Sequence, residues 1–120
     1  MQPYFIFADF NSNQSNDYIQ VSGNKLFVYS QTDSLLFQYL FENEIVSEPI
    51  WIMDAESNLL LLINDSKAKK SYLFSSPYGL VNGFPISCKS ALISSQSSLN
   101  GSIVIYLIDE IAIMAKEIFN

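Results

Sequence analysis

Histidine and arginine are missing from this chain altogether, and its positive charge comes from six lysines alone. Without imidazole there is no Ser–His or Cys–His pair, no imidazole metal ligand and no proton shuttle near neutral pH. Without guanidinium there is no bidentate clamp on phosphate or carboxylate. The sequence also lacks a glycine-rich phosphate loop and a cysteine cluster with zinc spacing. So few catalytic groups remain that the expectation is a protein that is not an enzyme and takes no cofactor and no metal.

Cysteine occurs once, at Cys88, so no intrachain disulfide can form. That suits a reducing compartment. Cys88 itself reads as a small buried hydrophobe, since Lys89 is the only neighbour in sequence able to activate a thiol. Long apolar runs are missing as well. The longest, Ile103 to Ile108, falls far short of the roughly 20 residues needed to span a bilayer. Met1 to Asp9 has neither a basic n-region nor a small-residue cleavage site, which is not the pattern of a signal peptide. The expected location is the cytoplasm.

What is present fits one globular domain over residues 1–120. The length is close to the commonest domain size, and a hydrophobic content of 49% is far from the composition of disordered chains. Net charge is −6, from twelve acids against six lysines. Nucleic acid and anionic membranes both call for a basic face. Neither is expected as a partner, whereas a basic protein is.

Along the chain, Tyr4 to Phe10 is aromatic and β-branched and reads as a strand. Tyr18–Val21 and Lys25–Tyr29 flank the turn residues Ser22-Gly23-Asn24, which makes a hairpin. Ser34–Phe41 is apolar on both faces. It fits either a strand or a short helix, and its aromatics favour the strand. Ile50–Met53, Leu59–Ile63 and Ser71–Ser75 are separated by polar turns and read as an antiparallel meander, with Trp51, Leu60, Leu62 and Phe74 as its core. Residues 77–85 read as a loop and 86–94 as a segment with room for one or two helical turns. Val104, Ile108, Ile111, Ala115 and Ile118 share one face on a 3.6-residue period, which predicts a helix over about 108–119. Ile103-Val104-Ile105 also fits a last strand ahead of it. The expected fold is α+β: an antiparallel β-sheet meander of about five to seven strands with a C-terminal α-helix packed on it. No internal repeat is visible.

Asp54, Glu56 and Asn58 have a spacing that faintly resembles a calcium loop. The position that needs glycine for the sharp turn is Leu59, so a polar hairpin turn is the better reading. Tyr18, Tyr29, Tyr72 and Tyr78 lie in or beside polar segments and are candidates for exposed aromatics.

Charge is the feature that stands above background. From Leu26 to Ser66 there are seven acids and no lysine, and from Lys67 to Ile108 four lysines and no acid. Five of the acids, Glu42, Glu44, Glu48, Asp54 and Glu56, fall close together and are the candidate partner-binding residues. Solvated loop charges kept for solubility are the competing reading. In size, charge and lack of catalytic groups the chain is similar to bacterial toxin-neutralising immunity proteins, including those of contact-dependent growth-inhibition systems. The similarity is one of profile and rests on no motif. It implies an acidic inhibitor that covers a basic toxin or enzyme, such as a nuclease. A phage-encoded inhibitor of a nucleic-acid-handling host complex has the same profile, and a non-catalytic structural or assembly module is the alternative. The sequence does not specify the oligomeric state.

Overall fold

The computed structural model describes residues 3–10, 15–53, 58–76, 79–93, 103–109 and 112–118. Among these residues there are twelve strands in three antiparallel sheets and no helix. The first sheet is a meander of β1 (Tyr4–Ala8), β2 (Asp17–Ser22), β3 (Lys25–Tyr29) and β4 (Leu35–Leu40). The second runs β5 (Ile50–Met53), β6 (Leu59–Asp65), β7 (Lys70–Ser75) and β8 (Gly79–Leu80), with β9 (Ile86–Ser87) pairing the other end of β7. The third is β10 (Ser90–Ile93), β11 (Ile103–Ile108) and β12 (Ile113–Ile118).

Local chemistry accounts for the hairpins. Gly23 sits at φ +60° in the two-residue turn between β2 and β3, where Ser22 pairs with Lys25. A left-handed residue at the first turn position matches the twist of the strands it joins, and glycine adopts that conformation without steric cost.

The second sheet is the middle layer. Side chains alternate across a strand, so β6 sends Leu59, Leu61 and Ile63 to one face and Leu60 and Leu62 to the other. The odd set packs with Ile19, Val21, Leu26 and Val28 of the first sheet. The even set packs with Ala91, Ile105 and Leu107 of the third. Every residue of β6 is buried. An unbroken Leu-Leu-Leu-Leu-Ile run is therefore what this position requires, as in any strand covered on both faces. Aromatic rings join β4 to β7: Tyr39 lies 5.6 Å from Tyr72 and 5.3 Å from Phe74, and Phe37 lies 5.9 Å from Phe74.

Several expectations are corrected. Over the described residues the fold is all-β with twelve strands, not α+β with five to seven and a C-terminal helix. Residues 103–108 and 113–118 form a hairpin, in which Ile103 pairs with Ile118 and Ile108 with Ile113. The Asp109 N–H donates to the Ala112 carbonyl at 2.9 Å. Twelve of the sixteen residues are apolar and the four charged ones fall in the adjacent pairs Asp109-Glu110 and Lys116-Glu117, so the segment fits a period of 3.6 and a period of 2 alike. Its β-branched residues then favour the strand. Ile111, expected on the helix face, lies outside the described residues. Residues 86–93 hold the short strands β9 and β10, not helical turns. Within segment 34–41, Leu35–Leu40 is a strand, as the aromatics favoured.

The predicted core also changes. Leu60, Leu62 and Phe74 are buried, but Phe74 belongs to the first interface and the two leucines to the second. Trp51 is 42% exposed: it sits on the edge strand β5 and joins neither cluster. Tyr72, expected near solvent, is buried, whereas Tyr18 is exposed. Tyr78 lies outside the described residues.

Candidate functional site

Three of the five acidic candidates lie on the link from the first sheet to the second. Phe41 and Ile45 are buried there while Glu42, Glu44 and Glu48 point to solvent. The β2–β3 turn holds this link in place. The Phe41 N–H donates to the Asn24 carbonyl and the Ile45 N–H to the Gly23 carbonyl, both at 2.8 Å. The Tyr4 hydroxyl donates to the Val46 carbonyl at 3.2 Å. Three exposed carboxylates are thus carried on an anchored backbone. Asp54 and Glu56, the other two candidates, lie outside the described residues.

Folding also joins the two charge blocks of the sequence. The Lys70 ammonium donates to Glu42 Oε1 at 3.0 Å, which raises the lysine pKa through that hydrogen bond and the neighbouring negative charge. Asp65, the last acid of the acidic block, is buried. Its carboxylate accepts from the Ala68 N–H at 3.1 Å and from the Asn43 amide at 3.4 Å, so it closes the β6–β7 turn and faces no partner.

A polar cluster lies between the second and third sheets. Asn64 exchanges two hydrogen bonds with the backbone of Ala91, and the Ser71 hydroxyl donates to Asn64 Oδ1. Cys88 Sγ sits 3.2 Å from the Ser71 oxygen and is itself buried, as the sequence indicated. These groups satisfy one another and serve as an intersheet clamp. Among the described residues no group of three or more His, Cys, Asp or Glu side chains could hold a metal ion. None of the described residues form a helix long and apolar enough to cross a membrane.

The most conspicuous surface is one that reading the sequence missed. The outer face of the first sheet carries Phe5, Phe7, Tyr18 and Leu40, exposed by 70%, 52%, 48% and 65%. Phe7 and Tyr18 are cross-strand neighbours with ring centroids 5.0 Å apart. A shallow pocket of about 370 Å³ opens beside Lys25, Phe27, Gln38, Tyr39 and Leu40. The outer face of the third sheet is apolar too, with Leu92, Tyr106 and Ile113 exposed. A signal for this was present: Tyr4-Phe5-Ile6-Phe7 has no polar alternation, which marks a strand meant to be covered on both faces.

Comparison with family models, with curated proteins and with solved structures returns no match.

Proposed function

We propose that the protein is a non-catalytic assembly module whose outer sheet faces pack against further β-sheets. The observation that carries this reading is the cluster of Phe5, Phe7 and Tyr18 on the open face of the first sheet, with Leu40 exposed on the same face at its β4 edge. Scattered exposed apolar residues are ordinary, but three exposed aromatic side chains grouped on two adjacent strands mark an interaction surface. Tyrosine and phenylalanine are also enriched in interface cores. The cytoplasm is the location that goes with this reading, supported by the single, buried cysteine. The test is sedimentation of the wild type and of the Phe7→Glu/Leu40→Glu variant over a range of concentrations and salt. The wild type self-associates in a salt-tolerant way and the variant does not. A wild type that sediments as a monomer throughout defeats the reading.

A second reading keeps the acidic inhibitor of a basic toxin or enzyme. It is supported by the solvent-facing Glu42, Glu44 and Glu48 on one anchored link and by the net charge of −6. Clustered charge of one sign steers a partner of the other, an effect that fades with salt. The Glu42→Lys/Glu44→Lys/Glu48→Lys variant then loses a basic protein that the wild type captures at low salt. An unchanged set of captured proteins counts against this second reading.

A further inference from the structure

The three sheets repeat one another. β2, β6 and β11 begin at residues 17, 59 and 103, and β3, β7 and β12 begin at 25, 70 and 113. With β1, β5 and β10 beginning at 4, 50 and 90, equivalent strands recur every 40 to 46 residues, a period that the side-chain sequence does not display. Each sheet is a meander in chain order. They stack in the same sense: on the middle strands β6 and β11, the residues whose backbone bonds run towards the following strand, Leu59 to Ser76 and the Ile105–Leu107–Asp109 set to Ala112, are those that face the preceding sheet. Both internal interfaces are apolar cores. Antiparallel meanders repeated at such a period and stacked face to face are the plan of β-propellers, which close with about four to eight blades.

We propose that two copies of this chain associate head to tail into a closed ring of six sheets. The proposal rests on the assembly reading above and names the occupant of its surfaces. In the stack, each interface joins the trailing face of one sheet to the leading face of the next. Two faces are left over, and they are of opposite kinds: the outer face of the first sheet, with Phe5 and Phe7, and the outer face of the third, with Tyr106 and Ile113. Laying the third sheet of one copy on the first sheet of another continues the existing series of interfaces. Contacts of this heterologous kind give rings when the rotation closes and filaments when it does not. Three sheets per copy make two copies the smallest ring within the range that propellers occupy.

Sedimentation equilibrium and single-variant mixing test this. The wild type is expected at twice the 13.6 kDa chain mass. Phe5→Lys, at a site 70% exposed, and Ile113→Lys, at a site 69% exposed, are each expected to fold, as judged by far-UV circular dichroism, and to sediment as monomers. Mixing the two monomeric variants is expected to restore a dimer. In the mixed ring one interface carries both lysines and the other is wholly wild type, whereas a ring of either variant alone has a lysine in both interfaces. A dimer abolished by Phe5→Lys but untouched by Ile113→Lys overturns the ring while leaving the first sheet's face an interface. Open-ended growth of the wild type with concentration overturns closure. A wild-type monomer overturns the ring and the assembly reading together.

Discussion

Asn64 and Ala91 exchange a pair of hydrogen bonds across the interface of the second and third sheets. The Ala91 N–H donates to Asn64 Oδ1 at 3.0 Å and the Asn64 amide donates to the Ala91 carbonyl at 3.2 Å. β10 is an edge strand, and a side chain here meets both backbone groups of one of its residues in the way a neighbouring strand would. Asn64→Ala strands both groups inside the core. A buried unsatisfied donor or acceptor costs about 1–3 kcal/mol, so this variant is expected to lose about 2–4 kcal/mol in urea unfolding. A loss below about 0.5 kcal/mol, the level of a neutral surface change, means that the clamp does not hold the sheets together.

Leu61 and Leu62 are adjacent, both fully buried, and face opposite interfaces. Truncating a buried leucine to alanine costs about 2–5 kcal/mol. Leu61→Ala and Leu62→Ala are each expected to fall in that range. In a two-layer sandwich one of the pair would face solvent, and its truncation would be nearly silent.

Gly79 has φ +94°, and a Cβ placed on it would lie 2.8 Å from the Phe37 ring. Gly79→Ala therefore adds backbone strain to a steric clash and is expected to cost about 1–3 kcal/mol. Phe37→Ala removes the clash but not the strain. In a double-mutant cycle the Gly79→Ala penalty should thus shrink when Phe37 is already alanine. Strict additivity would show that the ring and the glycine do not meet.

Alkaline pH probes Tyr72 and Lys70. Burial, then the neighbouring Tyr39, raises the Tyr72 pKa above its ordinary 10.0, and Glu42 raises Lys70 above its ordinary 10.5. Both groups are held in their protonated forms by the fold. Their contribution is fully present below the ordinary values and is lost as pH rises through the raised ones. The melting temperature is expected to fall above about pH 10, the ordinary tyrosine value, and Tyr72→Phe should make the fall shallower. Glu42→Gln should move the Lys70 titration, followed by NMR, back towards its ordinary value. An unmoved Lys70 titration means that the ion pair is absent in solution.

The residues that declared themselves in the sequence did so through local rules. Gly23-Asn24 between two apolar segments specifies a hairpin, and Leu59–Ile63 between two polar turns specifies a strand, because turn chemistry and β-propensity act within a few residues. The lack of histidine and arginine, the single cysteine and the acidic excess are likewise properties of the chain itself. Other features depended on what lies across an interface. Residues 103–118 are apolar at twelve of sixteen positions, with the charges in two adjacent pairs, so no periodicity in them separates helix from strand. The choice was made by pairing, with Ile103 opposite Ile118 and Ala91 opposite Leu107. The stacking of three sheets was hidden for a related reason. A run such as Leu59–Ile63 shows that both faces are covered but not by what, and the repeat lies in backbone geometry that dissimilar side chains can each satisfy. The partner of Glu42 was equally out of reach of a linear reading. Lys70 is 28 residues away, and only the packing of the first sheet on the second brings the two charges together.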